Sequence, residues 1–133
     1  MKVILDSNFL FVPLQFQIDI FREIEEVVNG KVEFIVLSTT IEELKKMIDK
    51  GGDKLSRQAF FALELAKKCK VFEVKRLPRE SNDDVIVRVA KKFKCAVATN
   101  DRTLKRMLRN MGVAVIYVRE RSRLEMEGTV DNV

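Results

Sequence analysis

Short apolar runs alternate along this chain with segments in which apolar residues return every third or fourth position. The first run, residues 2–6, is β-branched and ends on Asp6, a pattern that predicts a strand. Over residues 18–29, Ile18, Phe21, Ile24, Val27 and Val28 share one helical face, and Gly30 follows as a stop. The unit then repeats, with a strand over 32–38 and a helix over 39–52. That helix carries Thr40 and Glu43 at capping-box spacing and closes on Gly51 and Gly52. Residues 54–69 read as a helix, 70–74 as a strand, 81–94 as a helix despite their β-branched content, and 95–99 as an apolar strand. A helix over 102–112, stopped by Gly112, leads to a last strand over 113–118, and from Glu120 onward the charged segment predicts no firm element.

Strands that alternate with helices pair in parallel, because parallel neighbours need crossover connections. The expected fold is therefore an α/β three-layer sandwich around a central parallel sheet of about five strands. Several strands are apolar on both faces, as a sheet covered by helices on both sides requires. At 133 residues the chain is long enough for one substantial core, and it contains no internal repeat or interdomain linker.

Composition narrows the chemistry. The chain has no His, which removes Ser-His-Asp and Cys-His catalysis and imidazole-ligated zinc. Cys69 and Cys95 have no spacing for a zinc site or disulfide framework and are expected as free thiols. No apolar run approaches a membrane span and Asp6 interrupts what would be a signal peptide, so a cytoplasmic protein without a membrane partner is expected. Net charge is +5, and residues 102–123 alone hold seven Lys or Arg against one acid, Glu120. Such a segment suits a polyanion or forms an ordinary solvated face. Arg102, Lys105, Arg106 and Arg109 share one helical stripe opposite Leu104, Leu108 and Met111, and it faces either the crevice or solvent.

In a parallel α/β sheet ligands bind where strand C-terminal ends meet at a switch in strand order. Acids cluster after the strands: Asp6 after the first, Glu42 and Glu43 after the second, and Asp101 after the fourth, while Asp83 and Asp84 open the helix that precedes that fourth strand. Each has a structural role open to it, as a cap or a first-turn anion. Capping does not explain why Asp6 ends an apolar strand near the crevice. Assembled carboxylates suit a hard divalent cation, which takes oxygen ligands and needs no imidazole. Without one they repel, and some take up protons.

The segments ILDSNFL at 4–10, STTIEEL at 38–44, NDDVIVRVA at 82–90 and VATNDRTLKRML at 97–108 resemble, in order, the four acidic motifs of PIN-domain nucleases. The resemblance spans roughly residues 2–126 and implies a PIN-like domain over 1–126 with a C-terminal tail over 127–133. It places the catalytic and metal-binding acids on Asp6, Glu43, Asp83 and Asp101, with Asp84 as an auxiliary ligand, Asn8 orienting the first acid and Thr99 supplying a hydroxyl beside the fourth. It implies cleavage of single-stranded RNA with Mg2+ or Mn2+, leaving a 5'-phosphate and a 3'-hydroxyl, with Arg102, Lys105, Arg106 and Arg109 as candidate RNA-binding groups.

The endings ATNDRTLKRML and IYVRERSRLEME are most similar to the branch that processes ribosomal RNA, and less so to toxin nucleases of toxin and antitoxin pairs. That likeness leaves open a ribosomal RNA precursor as substrate and a protein partner in a ribonucleoprotein. A catalytically silent RNA-binding or scaffold module is the competing expectation. A small nucleotide-handling enzyme ranks last, because both glycine-rich phosphate cradles are missing. The apolar stretch FLFVPLQF at 9–16 could serve a homodimer surface, or divide between the core and a hairpin-like loop.

Overall fold

The computed structural model describes residues 1–130; the last three residues of the expected tail lie outside them. β1 (Lys2–Leu5) is followed by a 3-10 turn (Ser7–Phe11), α1 (Val12–Phe16) and α2 (Ile20–Val28). β2 (Glu33–Leu37), α3 (Ser38–Lys50), α4 (Asp53–Ala66) and β3 (Lys70–Phe72) come next. The second half consists of α5 (Asn82–Phe93), β4 (Ala96–Ala98), α6 (Arg102–Asn110), β5 (Val115–Arg119) and β6 (Arg123–Glu127).

The strands form one sheet in the order β3-β2-β1-β4-β5-β6. All pairs are parallel except β5 with β6, which is an antiparallel hairpin. The α/β sandwich thus has six strands, and the addition lies in the segment after Glu120 for which the pattern predicted nothing firm. From β1 the chain steps outward through β2 to β3, then returns to the other side of β1 with β4 and steps outward again. The order therefore reverses between β1 and β4, which opens a crevice at their C-terminal ends.

Alternation of side chains along the strands separates two cores. Val3, Leu5, Val36, Ala96, Ala98 and Ile116 face α1 to α4, packing with Ile20, Ile24, Leu44, Ala59 and Ala62. Ile4, Ile35, Leu37, Val97 and Val115 face the opposite way, onto Val85, Ile86 and Val89 of α5 and Leu104 and Leu108 of α6. Complete burial of each of those leucines contributes about 1.5–3 kcal/mol. Met111, expected on the same apolar face, is exposed instead, because α6 ends at Asn110 and the chain turns at Gly112 with φ +76°.

Two local expectations fail for physical reasons. β2 runs directly into α3 with Leu37 as its N-cap, so Thr40 lies inside the helix, completely enclosed, and the Thr40/Glu43 capping box does not form. The 9–16 stretch is neither a hairpin-like loop nor an apolar surface: it is helical, and Phe9, Leu10, Phe11 and Val12 are buried. Of its large apolar side chains only Leu14 is exposed, which removes most of the expected dimer surface. Cys69 and Cys95 are free thiols, and burial pushes Cys69 up to about 11. Among the described residues no helix is long and apolar enough to cross a membrane.

Candidate active site

The crevice is built around the last residue of the apolar β1 run. Asp6 follows β1 and is only 6% exposed. Its backbone N–H donates to Ala98 O of β4 at 3.0 Å, so the strand pairing itself fixes the residue beside the end of β4. Its carboxylate is held from three directions. Oδ1 accepts from the Ser7 N–H at 2.8 Å, and Oδ2 accepts from Asn8 Nδ2 at 2.9 Å and Thr99 Oγ1 at 2.8 Å.

Thr99 continues β4 and is completely buried. Besides donating to Asp6, its hydroxyl accepts from the Asp101 N–H at 3.1 Å, so one oxygen links the first and fourth acids. Asn8 closes the ring: its Nδ2 also donates to Thr99 Oγ1 at 3.2 Å, and its Oδ1 accepts from the Asn100 N–H at 3.0 Å. Asn100, a candidate N-cap by residue type, leaves that role to Asp101 and instead accepts the Val118 N–H on its Oδ1 at 2.8 Å, tying the site to β5. The polar triplet Thr99-Asn100-Asp101 directly after an apolar strand was the available signal.

The acids divide by how far local structure already engages them. Asp101 is the N-cap of α6, but its Oδ1 takes both donors, Thr103 N–H at 2.8 Å and Leu104 N–H at 3.1 Å, leaving Oδ2 clear of the cap. Asp84 lies in a capping box with Ser81: its Oδ2 accepts the Ser81 N–H at 2.9 Å while its own N–H donates to Ser81 Oγ at 3.1 Å. Asp83, one residue earlier in the first turn of α5, has no such engagement and is half-buried. Glu43 stands in the second turn of α3, beyond the reach of a capping role, and is half-buried, while neighbouring Glu42 is exposed.

Electrostatics show that these acids share one neighbourhood. Burial pushes the Asp6 carboxyl up to about 6, with Glu43 and Asp83 adding to the rise and the hydrogen bonds from Thr99 and Ser7 opposing it. Burial also raises Asp83, and next in weight come Asp101, Glu43 and Asp84. Asp6 is thus repelled by Glu43 and Asp83, and Asp83 in turn by Asp101, Glu43 and Asp84.

As their side chains stand, no three Asp, Glu or Cys groups among the described residues close into a ready-made ligand cage. A hard dication such as Mg2+ does not require one, since one or two carboxylates plus waters and substrate phosphates usually hold it. The donor set fits such an ion: oxygen throughout, no imidazole, and acidic repulsion that a double positive charge would relieve.

The basic stripe of α6 splits. Lys105 stacks its ammonium over the Tyr117 ring at 3.6 Å and pairs with Glu127 at 3.2 Å, and Arg109 donates to Val113 O at 3.1 Å. Arg102 and Arg106 stay exposed. Beside the crevice, a cavity of about 480 Å3 is lined by Phe16, Thr99, Asn100, Arg102, Lys105, Tyr117 and Arg121, among others.

Comparison with known proteins identifies a family and named relatives. Residues 3–121 match the family model described as a PIN like domain. The chain is 32% identical over 130 residues to Ribonuclease VapC4 of Methanocaldococcus jannaschii, covering 97% of this chain and 98% of that protein. It is 29% identical over 126 residues to Ribonuclease VapC9 of Archaeoglobus fulgidus, covering 93% and 87% respectively. Among solved structures, the PIN domain endonuclease Utp24 superposes with a TM-score of 0.77 at 29% identity, over 99% of this chain and 95% of that one. With the acids gathered at the β1/β4 switch and relatives named as ribonucleases on either side, the chain belongs to the PIN-like domain family of nucleases.

Proposed function

We propose that this protein is a ribonuclease that hydrolyses phosphodiester bonds inside single-stranded RNA, with Mg2+ or Mn2+ held at the crevice by Asp6, Glu43, Asp83 and Asp101. The observation that carries the reading is the convergence of four carboxylates from four separate elements on the switch-point edge, with Asp6 enclosed there in a ring of hydrogen bonds. A divalent ion bound there would supply charge neutralisation, polarisation of a phosphoryl oxygen and a lowered pKa for an attacking water.

The chain's own groups do the rest. Thr99 and Asn8 hold the Asp6 carboxylate in one orientation, the Asp101 Oδ2 and the Asp83 carboxylate stand clear of capping, and Arg102 and Arg106 offer exposed guanidinium groups to the RNA backbone. Water adds to phosphorus, the bond to the 3'-oxygen breaks, and the products carry a 5'-phosphate and a 3'-hydroxyl. Asp84 serves the helix cap and at most assists as an auxiliary ligand.

The likeness to an endonuclease at 29% identity supports internal cleavage. A ribosomal RNA precursor as substrate, handled within a ribonucleoprotein, is supported by the resemblance of segments 98–108 and 116–127 to that branch of the family.

The test is cleavage of an internally labelled single-stranded RNA by wild type and Asp6→Asn, with Mn2+, Mg2+ or EDTA. Fragments with 5'-phosphate ends that vanish in EDTA and in the variant are expected. RNA bound but never cut by wild type with either metal would sink the reading in favour of a silent binding module.

A further inference from the structure

We propose that the cavity between α1, the start of α6 and the β5–β6 turn is a nucleotide-binding subsite, which clasps one base of single-stranded RNA between Phe16 and Arg121 and holds the adjoining phosphate with Arg102. The inference rests on the ribonuclease reading above and assigns where the strand lies relative to the acids.

Three observations meet there. The cavity neighbours the acidic centre, because Thr99, whose hydroxyl donates to Asp6, is among the residues around it. Its lining pairs two aromatic rings, Phe16 and Tyr117, with three cations, Arg102, Lys105 and Arg121, against the single acid Glu120. That combination of stacking surface and positive charge is how single strands are held without reading sequence, since every base has a π-face and every linkage a negative charge. Duplex RNA keeps its bases stacked inside the helix and cannot offer one to such a slot.

The third observation is backbone strain. Glu120 and Arg121 have φ +52° and +61°, left-handed conformations that residues with side chains rarely adopt, in a turn that ordinarily takes Asn and Gly. The pairing of Arg119 with Arg123 across the hairpin fixes this turn. One result is that the Arg121 guanidinium stands over the Phe16 ring at 5.9 Å from its centroid. Entry of a base between the two therefore requires Arg121 to move away from the ring. Lys105 is already engaged, with its ammonium 3.6 Å from the Tyr117 centroid and paired with Glu127 at 3.2 Å, so Arg102 is the exposed cation of the lining on α6.

The experiment is equilibrium binding in EDTA, where cleavage is off, of a fluorescein-labelled single-stranded oligoribonucleotide to wild type, Phe16→Leu, Arg121→Gln, both together, and Arg57→Gln on the exposed face of α4 as a control. Phe16→Leu keeps an apolar group packed on the core and removes only the ring face. Each subsite variant is expected to weaken binding about tenfold, the lower range for loss of one base stack, and the double variant by less than the product. Replacing one nucleotide by an abasic unit should weaken wild type similarly and the double variant hardly at all. Binding of heparin should be weakened by Arg121→Gln but not by Phe16→Leu.

RNA affinity unchanged in Phe16→Leu, or heparin and RNA losing equally in that variant, overturns the subsite. Normal metal-dependent cleavage with unaltered affinity in the double variant rejects the subsite and leaves the ribonuclease reading standing. Phe16-dependent binding with no cleavage by wild type rejects the ribonuclease reading while the base-binding site stands.

Discussion

Replacing Asp6 with Asn is expected to stabilise the metal-free protein at neutral pH even as it removes activity. Burial and neighbouring acids move this carboxyl from 3.8 to about 6. The native state therefore holds the proton more tightly than the unfolded chain, so it binds more protons between those values and stability falls as pH rises through them. Below about 4 the burden is absent, and above about 6 it is complete. The difference between 3.8 and about 6 corresponds to about 3 kcal/mol at pH 7.

Asn removes the charge but also turns one acceptor into a donor. Its oxygen can still accept from Ser7 N–H, while its NH2 faces the Thr99 hydroxyl, which can turn to accept, and the Asn8 Nδ2, which cannot, losing about 1 kcal/mol of hydrogen bonding. The net gain is about 2 kcal/mol, or roughly 5–10 °C in Tm for a domain of this size. Thermal and urea melts of both proteins in EDTA from pH 4 to 7.5 measure it, because titrations common to both cancel in the difference. The gap should open with rising pH and reach its full size by about pH 7. An Asn variant less stable than wild type at pH 7, or a gap that does not vary with pH, would refute the reasoning.

Other outcomes follow from the same geometry. Mn2+ at about 100 times its dissociation constant should stabilise wild type by about 2.7 kcal/mol in melts, with most of that gain lost in the Asp6→Asn/Asp83→Asn double variant. Arg88 binds Glu80 through Nε at 2.8 Å and Lys75 O through Nη2 at 2.8 Å, anchoring the connection before Ser81 and so the placement of Asp83. Arg88→Met should slow RNA cleavage by up to about a hundredfold with far-ultraviolet circular dichroism unchanged. Leu104→Ala, emptying a fully buried position under α6, should destabilise by about 2–5 kcal/mol in urea unfolding.

The alternation of strands and helices carried most of the architecture, because a parallel sheet covered on both sides imposes apolar runs and helical stripes that are readable one segment at a time. β6 escaped this reading. Arg123-Leu124-Glu125-Met126-Glu127 does alternate, but charge dominates and only Leu124 is buried, as an edge strand tolerates. The Thr40/Glu43 capping box did not form, because a strand passing straight into a helix leaves no loop for a capping residue to close.

At the site, Asp6 and Asp101 stood out because strand ends define the crevice. Asp83 could not be placed by pattern, since the irregular connection after β3 and its Arg88–Glu80 clamp bring it there. The division of the basic stripe was equally hidden: Lys105 and Arg109 are drawn onto the β5–β6 side by Tyr117, Glu127 and Val113 O, contacts between segments that no local pattern encodes.

The most direct test of the four-acid centre is the single-turnover rate of RNA cleavage in saturating Mn2+ for Asp6→Asn, Glu43→Gln, Asp83→Asn and Asp101→Asn, beside Glu42→Gln, the exposed acid next to Glu43. The account expects each of the four to lose about a hundredfold or more, a loss of roughly 2.7 kcal/mol in transition-state stabilisation, and Glu42→Gln to stay close to wild type. Full activity in any of the four, or an equal loss in Glu42→Gln, would contradict it.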